Sequence, residues 1–133
     1  MQIKRLTEYS IRFLLYLARQ EGNTTVPGGE IAQQMGIGAG YIRRVTHTLC
    51  SAGLVESEPG FQGGFYLTRS AEEITLYDVM MAAEDTMALN RCLQDEKFCD
   101  RGAAPYCKVH QCFIEFQGDM EARLKAVRLS ELV

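Results

Sequence analysis

Four of the chain's five cysteines fall between Arg91 and Phe113, in RCLQDEKFCDRGAAPYCKVHQCF. They are Cys92, Cys99, Cys107 and Cys112, separated by six, seven and four residues, with His110 between the last two. Thiolates are soft ligands that suit iron–sulfur clusters and zinc. Cys107 and His110 are close enough in sequence to share a metal, and the longer gaps can close as loops over a cluster. Structural zinc sites favour paired C-x₂₋₄-C spacing, which the first half of this stretch lacks. The spacing therefore leans towards a cluster, with zinc and a metal-free thiol switch as the other chemistries such residues support. Cys112 begins an amphipathic segment and reads as a core residue, a spare ligand or a disulfide partner.

The elements that must hold this stretch lie on either side of it. LTEYSIRFLLYLARQEG places Leu6, Tyr9, Phe13, Tyr16 and Leu17 at helical spacing, with Thr7 as a plausible N-cap and Gly22 as a stop. After the turn-rich NTTVPGG, EIAQQMG reads as a short helix with Ile31, Ala32 and Met35 inward, ended by Gly36. YIRRVTHTLCSAGLV begins a second helix with Ile42, Val45, Leu49 and Ala52 on one face. Short helix, glycine turn and second helix is the helix-turn-helix pattern. Cys50 reads as a small core residue of that second helix.

The other face of the second helix carries Gly40, Arg43, Arg44 and His47, with Tyr41 at its head. In a helix-turn-helix this end enters the DNA major groove, where arginines fork onto guanine or clamp phosphate. Two arginines on a helix face are equally consistent with solvated charge. His47 reads as a groove-wall or surface residue rather than a ligand, because no cysteine other than Cys50 lies near it. LVES and GFYLT follow as two strand-like pieces around a glycine-rich tip, a hairpin placed where a wing belongs. Gln62 and Gly63 at that tip would let backbone N–H groups approach phosphates. Candidate DNA-contacting residues are therefore Gly40, Tyr41, Arg43, Arg44, His47, Gln62 and Gly63.

Thr75 and Asp78 stand three apart before an apolar run, as in a capping box, and Leu76, Val79, Met80 and Ala83 form its inward face. Met80, Met81 and Met87 read as packing residues. Beyond the cysteines, Phe113, Phe116, Met120, Leu124 and Val127 recur at three- and four-residue steps, with Gly118 weakening the middle. A long amphipathic helix with little of a small domain left to cover pairs most simply with its own copy. The expected organisation is a DNA-binding region over 1–86, a cysteine-rich loop over 87–112 and a dimerisation helix over 113–133, all within one structural domain. The expected fold is mostly α with a small β-hairpin: a winged helix-turn-helix plus a long C-terminal helix.

Composition sets outer bounds. At 133 residues the chain suffices for one domain, and 47% apolar with 23% charged residues is ordinary for a globular protein. The net charge is −3, but unevenly spread: residues 1–70 hold seven Lys/Arg and five Asp/Glu, whereas residues 71–133 hold seven and twelve. A polyanionic partner should meet the first half. No stretch approaches the roughly 20 apolar residues of a spanning helix, and MQIKRLTEYS lacks the apolar core of a signal peptide. A cytoplasmic chain without a membrane partner is expected, and there thiols stay reduced. No acid/base pair, nucleophile elbow or phosphate-cradling loop is present, which argues against an enzyme.

With these motifs together, the chain resembles the Rrf-two family of bacterial winged-helix transcription regulators, which includes IscR-like and NsrR-like iron–sulfur sensors. The resemblance runs over nearly the whole length. It is carried by LTEYSIRFLLYLA, EIAQQMGIGAGYIRRVTHTLCSAGLVES, GFQGGFYLTRSAEEITLYDVMMAAE and the cysteine loop. It implies a homodimer on a near-palindromic double-stranded DNA operator, with a 2Fe–2S or 4Fe–4S cluster on Cys92, Cys99 and Cys107. It also implies a variable fourth ligand, for which His110 and Glu8 match family positions and Cys112 lies at hand. Such a cluster, when exposed, is lost in air. Two features depart from the family pattern. Pro59 stands where the wing commonly carries arginine, beside Glu56 and Glu58, and Arg43 lies where members differ. The alternatives are a cluster-free regulator that responds through thiol oxidation or a partner protein, and a small redox or metal-trafficking protein.

Overall fold

The structure is a computed structural model that describes residues 1–133. Helix α1 (Arg5–Ala18) runs through the centre of the domain, with Phe13 and Leu14 fully buried. Its N-terminus is not capped by Thr7, which lies inside the helix. Instead Glu84 accepts from the Lys4 backbone N–H at 2.9 Å and from the Thr7 hydroxyl at 2.6 Å. A carboxylate from a distant segment thus satisfies an orphan donor at the positive end of α1, so no local capping signal was needed. The helix also ends before Gly22, at Ala18.

Helix α2 (Gly28–Met35) closes on Gly36 at φ +64°, a left-handed cap that glycine adopts without strain. Arg12 of α1 reaches the carbonyls of Met35 and Gly36 at 3.4 Å each, which satisfies the exposed end of α2. Helix α3 (Ile42–Ser51) then crosses with Val45 and Leu49 fully buried. Ala52 falls just past the helix and is exposed, as is Cys50, so Cys50 is not the core residue expected. One residue of helical phase separates it from Leu49, and that step of about 100° carries it to the solvent side.

Strands β1 (Val55–Glu58) and β2 (Gly64–Leu67) pair antiparallel with Val55 opposite Leu67. Residue 26 extends the hairpin: Val26 and Phe65 exchange backbone hydrogen bonds at 2.8 and 2.9 Å. A Cβ on Gly64 would lie 2.4 Å from the Val26 carbonyl group, so only glycine permits this approach. The Phe65 ring returns to the core, edge-on to Phe13 at 5.6 Å between centroids.

Helix α4 (Leu76–Ala83) starts at the capping box read from the sequence, with Thr75 and Asp78 exchanging side-chain and backbone bonds. Val79, Met80 and Ala83 face inward, while Met81 is half exposed rather than packed. Three short helical segments, α5 (Arg91–Gln94) and 3₁₀ turns at Glu96–Phe98 and Ala104–Tyr106, lie within the cysteine stretch before α6 (Lys108–Ala126), which is unbroken through Gly118. No helix is long and apolar enough to cross a membrane.

The helix expected to run to Val133 stops at Ala126. Val127 turns the chain back onto the winged domain, where Leu76 N–H donates to the Val127 carbonyl and Leu129 N–H donates to that of Ile74. Arg128 donates to the Glu72 carbonyl at 2.6 Å. Leu129 inserts fully into the core beside Ile74 and Val79. Two strand-like hydrogen bonds and one buried leucine thus outweigh continued helix, an outcome set by tertiary packing rather than by propensity.

Candidate functional site

Two surfaces carry the candidate residues. The first is the exposed side of α3 with the hairpin tip. Gly40, Arg43, Arg44 and His47 all face solvent, as the amphipathic pattern required. Tyr41 is partly buried: its ring stacks edge-on against Tyr9 at 5.1 Å, and the Arg44 guanidinium lies 5.7 Å from its centroid. Tyr41 thereby shelves Arg44 against the helix, a cation–π arrangement that narrows the arginine's conformational freedom. At the tip, the Thr25 hydroxyl donates to the Gln62 carbonyl at 3.2 Å, which ties the turn to the strand-like segment before α2. Gly63 is required there, because a Cβ would meet the Glu58 carbonyl oxygen at 2.2 Å. On the hairpin's flank, Tyr66 donates to Glu56 at 2.6 Å and so holds that carboxylate on the strand.

The second surface is the cysteine stretch. Asn90 caps α5 (Arg91–Gln94) by accepting from Arg91 N–H at 2.9 Å, and so fixes Cys92 in a helical turn. Asp95 accepts from Lys97 N–H and starts a 3₁₀ turn over Glu96–Phe98 that delivers Cys99. Arg91 and Asp100 form an ion pair across this loop. A second 3₁₀ turn, Ala104–Tyr106, delivers Cys107 to the cap of α6, and His110 follows in the first turn of that helix, 6% exposed.

Cys92, Cys99, Cys107 and His110 line one cleft of about 260 Å³, walled by Phe98 and Phe113 among others. His110 Nδ1 lies 3.2 Å from Cys92 Sγ, and Nε2 lies 3.7 Å from a Glu96 carboxylate oxygen. Backbone N–H groups of Ala103 and Arg101, with those of Ala104 and Gly102, point at the Cys99 sulfur and lower its thiol below the ordinary value. Such N–H···S contacts stabilise thiolate charge, and in cluster proteins hydrogen bonds to sulfur tune the potential. The donor set thus fits an iron–sulfur cluster: three thiols, an imidazole and sulfur-directed amides on one cleft. No three of these groups converge on a single ion position, so the cleft is assembled but not closed.

Two candidate ligands stand apart from it. Cys112 is exposed on α6, five residues beyond Cys107 and rotated away from the cleft. Glu8 lies on α1, where its carboxylate pairs with Arg12. Sequence reading missed Glu96, which looks like any solvated acid in DEKF. It also missed the docking of Leu129, whose only trace is the loss of helical phase after Val127.

A winged helix-turn-helix with a thiol-lined cleft at the head of its last helix defines a small two-part protein, one half with a solvent-facing, arginine-bearing helix and the other half lined with sulfur. The chain belongs to the Rrf2 family, described as "Iron-dependent Transcriptional regulator", whose profile matches residues 3–133. Among curated relatives, an NsrR transcriptional regulator of Shouchella clausii is 35% identical over 96 residues, covering 72% of this chain and 64% of that protein. An IscR transcriptional regulator of Photorhabdus laumondii is 27% identical over 133 residues, covering 100% of this chain and 79% of that one. The chain spans less than two thirds of the length of several curated relatives, including 60% of protein aau3 of Rhizobium meliloti. Of solved structures, CymR of B. subtilis, titled its global cysteine regulator, superposes with a TM-score of 0.78 at 23% identity, covering 99% of this chain and 95% of that one. IscR of T. potens gives 0.77 at 20% identity, covering 99% and 85%. These regulators are not enzymes by name.

Proposed function

We propose that the chain is a dimeric DNA-binding transcription regulator whose operator affinity is set by an iron–sulfur cluster held at Cys92, Cys99 and Cys107, with His110 as fourth ligand. The observation that carries this reading is the single cleft onto which those four side chains open. The family description and the NsrR and IscR relatives support it. A bound cluster would supply an electron-accepting, air-sensitive centre, held by the thiolates of Cys92, Cys99 and Cys107. Everything else belongs to the chain's own residues. Cys107 and His110 sit at the head of α6, and the far end of α6 is stapled by the 127–129 tail to the residues that start α4. A rearrangement of Cys92 and Cys99 towards Cys107 therefore moves a rigid lever that ends on the core of the winged helix. A hundredfold change in operator affinity requires about 2.7 kcal/mol of coupling. Arg43 and Arg44 clamp phosphate or guanine, and the second copy aligns a second α3 on the other half-site.

A second reading has its own observation. The Cys99 thiol is lowered by backbone amides, which favours the reactive thiolate without any metal, and the fold is shared with CymR, the titled cysteine regulator. In that reading thiol oxidation or a partner protein replaces the cluster as the signal.

The test is oxygen-free purification of wild type and single-cysteine variants, with iron, sulfide and zinc analysis and a visible spectrum. The cluster reading predicts near-equal iron and sulfide in wild type and in Cys112→Ala, and loss of both in Cys92→Ala, Cys99→Ala and Cys107→Ala. A colourless wild type that still binds its own promoter would transfer the case to the thiol reading.

A further inference from the structure

We propose that Glu96 is a positioning residue for His110: its carboxylate, at ion-pair distance from Nε2, electrostatically favours the hydrogen on that nitrogen and so leaves Nδ1 as the atom the ring turns towards the cysteines. Its functional meaning rests on the cluster reading above, whereas the ring geometry does not. His110 is one of only three buried polar side chains in the chain, and its two ring nitrogens face different chemistry. Nδ1 lies 3.2 Å from Cys92 Sγ, and Nε2 lies 3.7 Å from Glu96 Oε1. An ionised carboxylate only accepts hydrogen bonds, so in a neutral ring the nitrogen facing it is the one that carries the hydrogen. Nδ1 is then bare, and its lone pair points at the thiol of Cys92.

The surroundings point the same way independently of that one distance. Cys92 and His110 form the wall between two clefts. On one side is the thiol cleft with Cys99 and Cys107; on the other is a polar cleft of about 450 Å³ lined by Asp95, Glu96 and Glu121. The acidic side stabilises an N–H directed at it, and the sulfur side is left with the lone pair. Carboxylates behind a ligating imidazole fix its tautomer and raise its basicity, and their loss typically costs ~10–100-fold in metal affinity. Glu96 is itself well exposed, so its replacement leaves the core intact.

Only two histidines are present, and His47 is exposed on α3 and serves as an internal reference. The experiment is a long-range ¹H–¹⁵N ring spectrum of the labelled, metal-free full chain at about pH 8, above the ordinary imidazole range. Wild type should show His110 as the Nε2–H tautomer, and Glu96→Gln, which keeps a carbonyl dipole at that place, should stay closer to wild type than an apolar replacement. Glu96→Leu should relax it to a mixture while leaving His47 unchanged. In cluster-loaded protein the same Leu variant should release iron to a chelator ~10–100-fold faster, with Glu96→Gln close to wild type. An Nδ1–H tautomer in wild type, or a Leu variant with unchanged tautomer and unchanged iron release, overturns the proposal. A wild type with the expected tautomer but no cluster upholds the positioning role and removes the cluster reading instead.

Discussion

Replacing Leu129 by alanine probes the link between the cysteine half of the chain and the winged half. Leu129 is completely buried, although it lies four residues from Val133 and beyond the end of α6. The substitution removes about three carbons' worth of burial, or about 2.4 kcal/mol at ~0.8 kcal/mol per methylene. Ile74, whose carbonyl accepts from Leu129 N–H, and Val79 of α4 share that core and cannot fully collapse into the space, so a cavity cost adds to this. The total expected is about 3–4 kcal/mol, within the range of buried leucine-to-alanine changes. With a denaturant dependence of about 2 kcal/mol/M in urea, the unfolding midpoint should fall by roughly 1.5–2 M. Wild type and variant are compared at one protein concentration, because assembly shifts the apparent stability. Leu132→Ala, at a 40% exposed position in the same tail, is the control and should stay within about 0.5 kcal/mol. A Leu129→Ala loss below about 1 kcal/mol would refute the docking of the tail, and with it the mechanical connection from α6 to the core.

Three further outcomes follow from the geometry. Arg44→Ala should weaken duplex binding across all sequences and reduce the slope of log K against log salt by about 0.9 if its contact is to phosphate, as measured by anisotropy titrations at several salt concentrations. Gly64→Ala should break the Val26–Phe65 bridge through its 2.4 Å clash, seen as faster amide exchange at both residues while α4 stays protected. In the metal-free chain the folded-state Cys99 thiol titrates below its ordinary value, whereas burial and then Glu56 push the Cys50 thiol up. As pH rises, Cys99 therefore reaches the thiolate before Cys50, and alkylation followed by mass spectrometry should label them in that order; the reverse order would remove the role given to the amides around Cys99.

Local rules carried much of the fold into the sequence. The α2–α3 turn was legible because Gly36 ends a short apolar pattern, and the α4 start because Thr75 and Asp78 satisfy each other's backbone. The hairpin was legible from GFQGG between two strand-like pieces. What the sequence concealed was tertiary. Glu84 caps α1 from 77 residues beyond Thr7, a partner no local capping pattern around Thr7 reveals. The tail leaves helical phase only to exchange hydrogen bonds with residues 74 and 76, a partner no window of sequence contains. Cys50 sits one helical step beyond Leu49 and so faces solvent rather than the core. In the cysteine stretch the candidate ligand types and their order were plain, yet their meeting on a single cleft depends on two short 3₁₀ turns, and the approach of His110 to Glu96 depends on where those turns put an ordinary-looking acid.

If the state of the cysteine cleft sets DNA affinity, a paired operator titration will show it. The chain is loaded and handled without oxygen, its affinity for a duplex from its own promoter is measured, and the same sample is measured again after iron is removed under reducing conditions. At least a tenfold change is expected, equivalent to about 1.4 kcal/mol of coupling, and it should be abolished in Cys99→Ala. Equal affinities with and without the cluster, in a protein that holds iron and sulfide, would contradict it.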